Sequence, residues 1–502
     1  MPAAHLEREV KLAVWPGFVL PLLDDVAEGV LAVPADECRL DATYFDTEDL
    51  RLARANITLR HRSDDGWTVK LPDDAPFLSG ALARRETTVA GDPRRPPAEV
   101  LALLIARVRS SPLVAVARLQ TLRRRTDLVD REGAVVAEIA DDEVSVLDGR
   151  RVALRFREVE VELGPVGDAA VLEQVVHRMR AAGAGAPDPT PKVIRALGPR
   201  AAAPPDLAEP RLGRKPSAAD VLVAGLARSV GRLVTFDPII RLDDNSEAVH
   251  QARVATRRLR SDLRTYDDLL DGEWVEPLRD ELRWLADALG DVRDADVLSG
   301  RLRRQLEALR RPDRVVGSAL LAALGEQRVA ARHRLMEVLD SERYLALLDA
   351  LVDSVRSPHA LPGAARPAKD VLPRLARKPW RDLEQAAARL SARSADEELH
   401  AVRIRAKRAR YAAEVAAIVV GAPAQELADE IAHVQDVLGE HQDACNARDW
   451  VRRAALDLDA PAAFVAGAVA ALQEVDAARW RGEVPAAWAR ASKGKLRAWL
   501  KP

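Results

Sequence analysis

The 502-residue sequence predicts an α+β multidomain protein: a β-rich N-terminal region shaped as a barrel with a charged interior, then an all-α C-terminal region of duplicated helical bundles. Three observations carry this expectation. Before residue 200, short segments alternate apolar and charged residues with period two, the repeat of half-buried strands. From Ser217 onward the pattern is helical and rich in Ala, Leu, Arg and Glu. Within that helical region a pair of motifs recurs at an offset of about 150 residues, which marks an internal duplication.

Taken in order, alternation marks strands at 7–12, 58–62, 67–71 and 157–163, with helices predicted at about 16–30, 96–109 and 168–182. The first domain is set at 1–198. Pro199, Pro204, Pro205, Pro210 and Pro216 among alanines mark 199–216 as a linker. The helical domain is set at 217–502, with repeats at about 217–360 and 370–502. Breaks are predicted near Asp271-Gly272, at Pro312, in the Pro-rich stretch 357–373 and at Gly421 to Pro423.

Composition narrows the function classes. Hydrophobic residues make up 48%, enough to bury several cores, and at about one domain per 150 residues the chain holds two to four. The net charge of −2 means that any grip on an anion comes from local clustering rather than from overall charge. Cys38 and Cys445 lie far apart, which argues against a disulfide framework, fits a reducing compartment and suggests buried or incidental thiols. The segment from Met1 to Lys11 carries Glu7 and Glu9 where a secretory signal needs an apolar core, and no apolar run reaches the ~18 residues of a membrane span. A cytoplasmic protein with no membrane partner is the expectation.

The strands put charge of both signs on one face. That face shows Glu7, Glu9 and Lys11 on the first strand, Arg60 and Arg62 on the next, Thr68 and Lys70 on a third, and Glu158, Glu160 and Glu162 on the last. For any single strand, a salt-bridged ladder on a solvent face explains the pattern. For several strands together, a barrel with a wet, charged lumen explains it better. Three glutamates on alternate positions repel unless a divalent cation sits among them, and Glu7 with Glu9 offers an opposite wall of oxygen ligands.

The helical region carries a duplicated cationic stripe. His250, Arg253, Arg257 and Arg260 are matched by His400, Arg403, Lys407 and Arg410, both sets at offsets 0, 3, 7 and 10, which share one helical face. Arg264 extends the first stripe, and from Arg253 to Arg264 five arginines face the single acid Asp262. Like charges at this spacing cost roughly 0.2–0.5 kcal/mol per pair, so the stripes call for a polyanionic partner. A second pair, Leu289-Gly290-Asp291-Val292-Arg293-Asp294-Ala295 and Leu438-Gly439-Glu440-His441-Gln442-Asp443-Ala444, repeats at an offset of 149.

Glu7-x-Glu9-x-Lys11 at the N-terminus resembles the signature of the CYTH superfamily, the triphosphate tunnel metalloenzymes. Tyr44-Phe45-Asp46-Thr47, Leu59-Arg60-His61-Arg62, Trp67 to Pro72, Arg84-Arg85-Glu86, Arg123-Arg124-Arg125, Glu138 to Asp142, Glu158 to Glu162 and Lys192 follow in the family's order, over about residues 3–200. The basic helices led by His250 and His400 resemble a CHAD domain over about 217–500. The first resemblance implies an eight-stranded antiparallel tunnel that binds triphosphate-containing substrates with Mg²⁺ or Mn²⁺. It implies a metal side of Glu7, Glu9, Glu138, Asp142, Glu160 and Glu162. It implies a phosphate side of Lys11, Arg60, Arg62, Lys70, Arg84, Arg123, Arg125 and Lys192. Spacing does not choose which two of Glu158, Glu160 and Glu162 act, nor between Arg84 and Arg85.

The expected function is a metal-dependent inorganic triphosphatase in which Glu7, Glu9, Lys11 and Glu160 carry the chemistry. The second resemblance implies inorganic polyphosphate as partner of the helical domain, through the two stripes, and so allows association with polyphosphate granules. Two alternatives stand beside it: a non-catalytic protein targeted to polyphosphate, and an enzyme acting on a nucleoside or thiamine triphosphate. With aromatic residues at 4%, no stacking platform accompanies the basic helices, which argues against nucleic acid.

Overall fold

A computed structural model describes residues 5–73, 81–391 and 393–500, so the opening residues of the N-terminal segment lie outside the described ones. The chain divides into two compact units, Met1–Asp206 and Leu207–Pro502.

The first unit is built on nine strands: β1 (His5–Val14), β2 (Leu31–Pro34), β3 (Cys38–Asp46), β4 (Thr58–Arg62), β5 (Gly66–Pro72), β6 (Leu82–Val89), β7 (Val114–Val129), β8 (Val135–Asp148) and β9 (Arg151–Leu163). The order β7-β3-β4-β5-β6-β1-β9-β8 closes on itself through a further β7–β8 pairing, all antiparallel, giving an eight-stranded barrel. Short β2 joins the far end of β7. Closure leaves these eight strands without an open edge.

The alternation is inverted relative to a soluble sheet, with apolar side chains outside and charges in the lumen. Val10, Leu12, Ile139, Val159 and Val161 face outward and are fully buried beneath helix α2 (Ala169–Ala181), whose Val171, Leu172, Val175 and Met179 complete that core. Fully burying such side chains stabilises by about 1.5–3 kcal/mol each. Asp168 caps α2 by accepting the Val171 amide. Helix α1 (Ala98–Val108) packs on β5, where Trp67 is fully buried and its indole N–H donates to the Asp92 carbonyl.

Two departures from the sequence reading occur here. No helix forms over 16–30. Pro16 and Pro21 lack the amides a helix needs, and Asp25 and Gly29 take left-handed backbone at φ 55° and 74°. The helix-like spacing of Phe18, Leu23, Val26 and Val30 has another cause, since all four cover the same outer wall as α2. Conversely, a short helix α3 (Lys192–Leu197) forms where the sequence pattern predicts none. Its Val193 and Ile194 pack on Ala42, Tyr44, Leu119, Val144 and Val146, so α3 occupies one end of the lumen.

The stretch expected as a linker is packed on both sides of the division. Ala201 is buried with Val193 and Ile194, Arg109 pairs with Asp206, and Leu207 is buried in the second unit.

The second unit holds helices α4 (Ala218–Leu242), α5 (Ser246–Thr265), α6 (Gly272–Glu307), α7 (Arg311–Leu339), α8 (Glu342–Arg356), α9 (Ala368–Ala387), α10 (Asp396–Val420), α11 (Ala422–Ala454) and α12 (Ala460–Ala491). The pairs Ala218/Ala368, Ser246/Asp396 and Gly272/Ala422 begin helices 150 residues apart, and Arg311/Ala460 begins a fourth pair 149 apart. The duplication seen in two motifs thus extends to the order and starts of four helices. Among the described residues, no helix is long and apolar enough to cross a membrane.

Candidate functional site

Register decides which lumen charges are neighbours, because directly opposed residues of antiparallel strands share a face about 4.5–5.5 Å apart at Cβ. Glu9 of β1 stands opposite Glu162 of β9, Glu162 opposite Glu138 of β8, and Glu138 opposite Asp127 of β7. Four acids therefore form one row across four strands. Glu7, two residues along β1, opposes Arg84. Lys11 opposes Glu160, and Asp142 opposes both Glu158 and Arg123.

A cavity of about 240 Å³ opens among these charges. Glu7, Lys11, Arg60, Arg62, Lys70, Arg84, Arg123, Glu160, Glu162 and Lys192 line it, as do His5, Tyr44, Thr58, Asp65 and Glu86. Glu9, Asp142 and Glu138 lie behind or beside it, and Arg125 is exposed on the same strand face, 3.5 Å from Glu138. Arg84 is buried in the lumen, whereas Arg85 turns outward to Asp73 at 2.7 Å, which settles the strand phase left open by the sequence.

Acid and base neutralise one another in two layers. In the first, Lys11 donates to Glu160 at 2.5 Å and lies 3.2 Å from Glu9, Arg123 reaches Asp142 at 2.7 Å and Glu160 at 2.9 Å, and Lys192 reaches Glu160, Asp142 and Glu158 at 2.6, 2.9 and 3.1 Å. Burial opposes the charge of Lys11 and Lys192, yet the surrounding carboxylates hold both pKa values above the ordinary lysine range. Burial likewise works against ionised Glu160, and Lys11, Lys192 and Arg123 outweigh it. In the second layer Lys70 bridges Glu7 at 2.6 Å and Glu86 at 2.7 Å. Arg60 and Arg62 lean on Asp65 at 3.8 and 3.1 Å.

Sequence reasoning passed over Glu86, Asp127 and Arg195. Alternation with Arg84 on β6, alternation with Arg125 on β7, and the one-turn spacing of Arg195 from Lys192 on α3 each placed them on the lumen side. Arg195 holds Glu158 at 2.9 Å.

Glu162 differs from its neighbours. Among the described residues no cation pairs with it, and burial, followed by the nearby Glu7 carboxylate, pushes its pKa up to about 8. Because that value is raised in the folded state, its contribution to stability is full at low pH and is lost as pH rises from the ordinary carboxylate range to about 8. In chelator-treated protein, melting temperature is expected to fall over that window in the wild type and to fall less in Glu162→Gln. Parallel curves would contradict the raised value.

In the second unit the two stripes converge. The guanidinium of Arg257 on α5 donates to the Tyr411 hydroxyl of α10 at 2.9 Å, and Arg258 and Arg410 lie over the Tyr411 ring at 5.2 and 4.8 Å. Tyr411 thus ties both basic helices together, a role its sequence position did not reveal. The repeated glycines lie beside the stripe. A Cβ on Gly290 would come within 3.9 Å of the Arg253 guanidinium, and one on Gly439 within 3.5 Å of that of Arg403. Arg253 reaches Asp294 at 2.6 Å, and Asp443, at the matching position, lies beside Arg403.

Arg257, Arg260, Arg264, Arg403 and Lys407 have no ion-paired carboxylate among the described residues. Burial and the arginines at 403, 257 and 253 push the Lys407 pKa down to about 7. Burial and neighbouring cations lower Arg403 and Arg260 in the same way, and burial with Arg293 lowers His250. His400 Nδ1 lies 2.8 Å from the Gln442 side chain. All these stripe residues are half-buried except Arg264, which is exposed. Such crowding of like charge at partial burial is the electrostatic condition of an anion-binding surface.

Comparison with known proteins agrees with this two-domain layout. The CYTH domain model matches residues 5–184 and the CHAD domain model residues 224–452. An uncharacterized protein, Rv2226, of Mycobacterium tuberculosis strain H37Rv is 34% identical over 482 residues, covering 91% of this chain and 90% of its own length. A second uncharacterized protein, from strain CDC 1551 of the same species, matches to the same extent. Among solved structures, PptA from Streptomyces chartreusis is 23% identical with a TM-score of 0.47, over 54% of this chain and 99% of its own. The CHAD domain from the plant Ricinus communis is 24% identical with a TM-score of 0.46, over 56% and 94%. The chain belongs to the proteins in which a CYTH domain, the domain of the triphosphate tunnel metalloenzymes, is followed by a CHAD domain.

Proposed function

We propose that the barrel hydrolyses a phosphoanhydride bond of inorganic triphosphate with Mg²⁺ or Mn²⁺, and that the helical unit binds inorganic polyphosphate. The observation that carries the first reading is the acid row Glu9–Glu162–Glu138 beside a wall of cations in one lumen. Alone, either group would serve as an ordinary polar lining. Together they offer one wall for nonbridging phosphate oxygens and another for a metal.

The residues present fit a hard divalent cation. Every donor in the row is an oxygen, the buried Glu9 oxygen 3.2 Å from Lys11 makes no hydrogen bond, and burial followed by the Glu7 carboxylate raises the Glu162 pKa to about 8. Glu7, Glu9, Glu138 and Glu162 would hold it. Glu160 and Asp142, each enclosed by two or more cations, would instead keep Lys11, Arg123 and Lys192 in place. When bound, the metal supplies Lewis-acid neutralisation of phosphate charge and a water of lowered pKa.

The chain's own contribution is positioning. Lys11, Arg123 and Lys192 exchange carboxylate partners for phosphate oxygens of equal charge type, so their geometry is fixed before substrate arrives. Arg84, buried without an ion-paired carboxylate among the described residues, and Arg60, Arg62 and Lys70 take the next phosphate along the chain. Arginine forks suit bidentate oxygens, while the lysines act as point charges.

One panel tests the reading: phosphate release from tripolyphosphate, long polyphosphate, ATP and thiamine triphosphate, each with Mg²⁺ and with Mn²⁺. Turnover fastest on tripolyphosphate and abolished by chelator is expected. Preference for ATP or thiamine triphosphate would make this an organic triphosphatase. No turnover, with retained binding, would make the barrel a sensor. Association with polyphosphate granules in the cytoplasm follows from the second half of the proposal.

A further inference from the structure

Outside the lumen and the stripes, one cluster joins three unlike ligand types. Asp396 is the first residue of α10, and His441 and Cys445 stand one turn apart on α11. His441 and Cys445 are buried. The imidazole Nε2 lies 3.3 Å from one Asp396 oxygen, the Cys445 sulfur lies 3.4 Å from the other, and sulfur and Nε2 are 3.8 Å apart.

We propose that Asp396, His441 and Cys445 form a tetrahedral site for a borderline-soft divalent cation, Zn²⁺, which fastens the head of the second basic helix to α11. Zinc bond lengths of about 2.3 Å to sulfur, 2.0–2.1 Å to nitrogen and 2.0–2.2 Å to oxygen, at tetrahedral angles, require ligand separations of about 3.4–3.6 Å. The nitrogen–sulfur separation lies within about 0.3 Å of that range; nitrogen and sulfur approach different Asp396 oxygens, and ligand atoms taken one from each residue lie within 4.8 Å of one another, so a turn of the carboxylate brings a single oxygen to both. Three protein ligands leave a fourth position for water.

Two other roles for the cluster compete less well. A thiol activated for nucleophilic chemistry has a depressed pKa, whereas burial, followed by the Asp396 charge, pushes that of Cys445 up to about 12. A plain structural ion pair explains Asp396 with Arg481 and Arg448 but gives no reason for a buried histidine and a buried cysteine at its two oxygens. Those arginines suit a metal site as well, since carboxylate ligands are oriented by outer hydrogen bonds. The set is also confined to one repeat. At the matching positions of α6 stand Val292 and Asp296, and Asp296 is neutralised by Arg328 at 2.5 Å.

The position gives the metal a consequence. Asp396 precedes His400 by one turn, and His441 adjoins Gln442, the residue that contacts His400. A bound ion would fix that contact where the second stripe begins. The proposal is independent of the triphosphatase reading, because neither the barrel nor its oxygen-only ligands enter it.

The test uses the full-length protein, stripped with a chelator and titrated with Co²⁺. Oxygen ligands in the barrel give no sulfur-to-cobalt charge-transfer band, so that near-ultraviolet band, with intense tetrahedral visible bands, reports this site alone. One equivalent is expected to generate it, one equivalent of Zn²⁺ to abolish it, and Zn²⁺ to raise the melting temperature. Cys445→Ser and His441→Ala are expected to lose the band, and Cys38→Ser to keep it. Absence of the band in the wild type, or its survival in Cys445→Ser, overturns the proposal. If Cys445→Ser does not fold, the wild-type and Cys38→Ser spectra decide it, since a band lost in Cys38→Ser places the thiolate elsewhere.

Discussion

Glu9→Gln is expected to lower metal-dependent phosphate release from tripolyphosphate by about 10²–10³-fold, the range for removing one preorganised charge-stabilising group, or about 2.7–4 kcal/mol of transition-state stabilisation. The substitution is nearly isosteric and removes one charge from the acid row. Lys11, 3.2 Å from Glu9, keeps its closer partner Glu160 at 2.5 Å, so the cationic wall stays in place. Glu7→Gln is expected to act in the same direction, with Lys70 retained by Glu86 at 2.7 Å. Both variants are expected to melt near the wild type and to need more Mg²⁺ or Mn²⁺ for half-maximal turnover. Unchanged turnover in both would remove the acid row from the reaction.

Much of this site was legible before the fold, for a physical reason. A period-two pattern reports which face a side chain takes, so the lumen charges of β1, β4, β5 and β9 could be read directly from sequence. What alternation cannot report is the neighbour across the ladder, because register depends on distant partners such as Glu9 and Glu162. Glu158, Glu160 and Glu162 look equivalent along β9. Register separates them, giving Glu158 to Lys192 and Arg195, Glu160 to three cations and Glu162 to an acid row. The same limit hid Asp127, which joins that row only through β8. Residues 16–30 show the opposite error. Their helical spacing was real, but it reflects one apolar face laid on the barrel wall, where the left-handed backbone at Asp25 and Gly29 interrupts a helix. In the helical unit the offset of 150 residues showed the duplication, while the proximity of the paired glycines to Arg253 and Arg403 appeared only in the fold.

Long-chain polyphosphate is expected to bind the fragment Leu207–Pro502 with an affinity that falls steeply with salt and, above about pH 7, with pH. Five stripe cations, Arg257, Arg260, Arg264, Arg403 and Lys407, lack ion-paired carboxylates among the described residues, and each one neutralised by the polymer releases a counterion. At about 0.7 ion per contact, the value for a single-stranded polyanion, log K is expected to fall with log salt at a slope of about −3 to −4, or about 10²-fold between 50 and 200 mM. The pH dependence has a single origin. Burial and three arginines hold Lys407 at about 7, whereas a bound polyanion favours its charged form, so binding takes up a proton above that pH. Affinity is therefore expected to fall by up to about tenfold per pH unit between 7 and 9. In the unliganded fragment the sign reverses. A lysine pKa lowered by folding means that the unfolded chain binds more protons above pH 7, so stability rises with pH across the same range. Lys407→Arg is expected to abolish the pH dependence of binding and keep the salt slope, because arginine stays charged. Lys407→Met is expected to abolish it and flatten the slope by about one contact's share. Reversing both charges, Arg403→Glu with Lys407→Glu, is expected to cost more than about 10²-fold, since repulsion replaces two of the five contacts. Retention on immobilised polyphosphate that is insensitive to salt, or a Lys407→Arg variant that keeps the wild-type pH profile, would show that the polymer does not lie along the stripes.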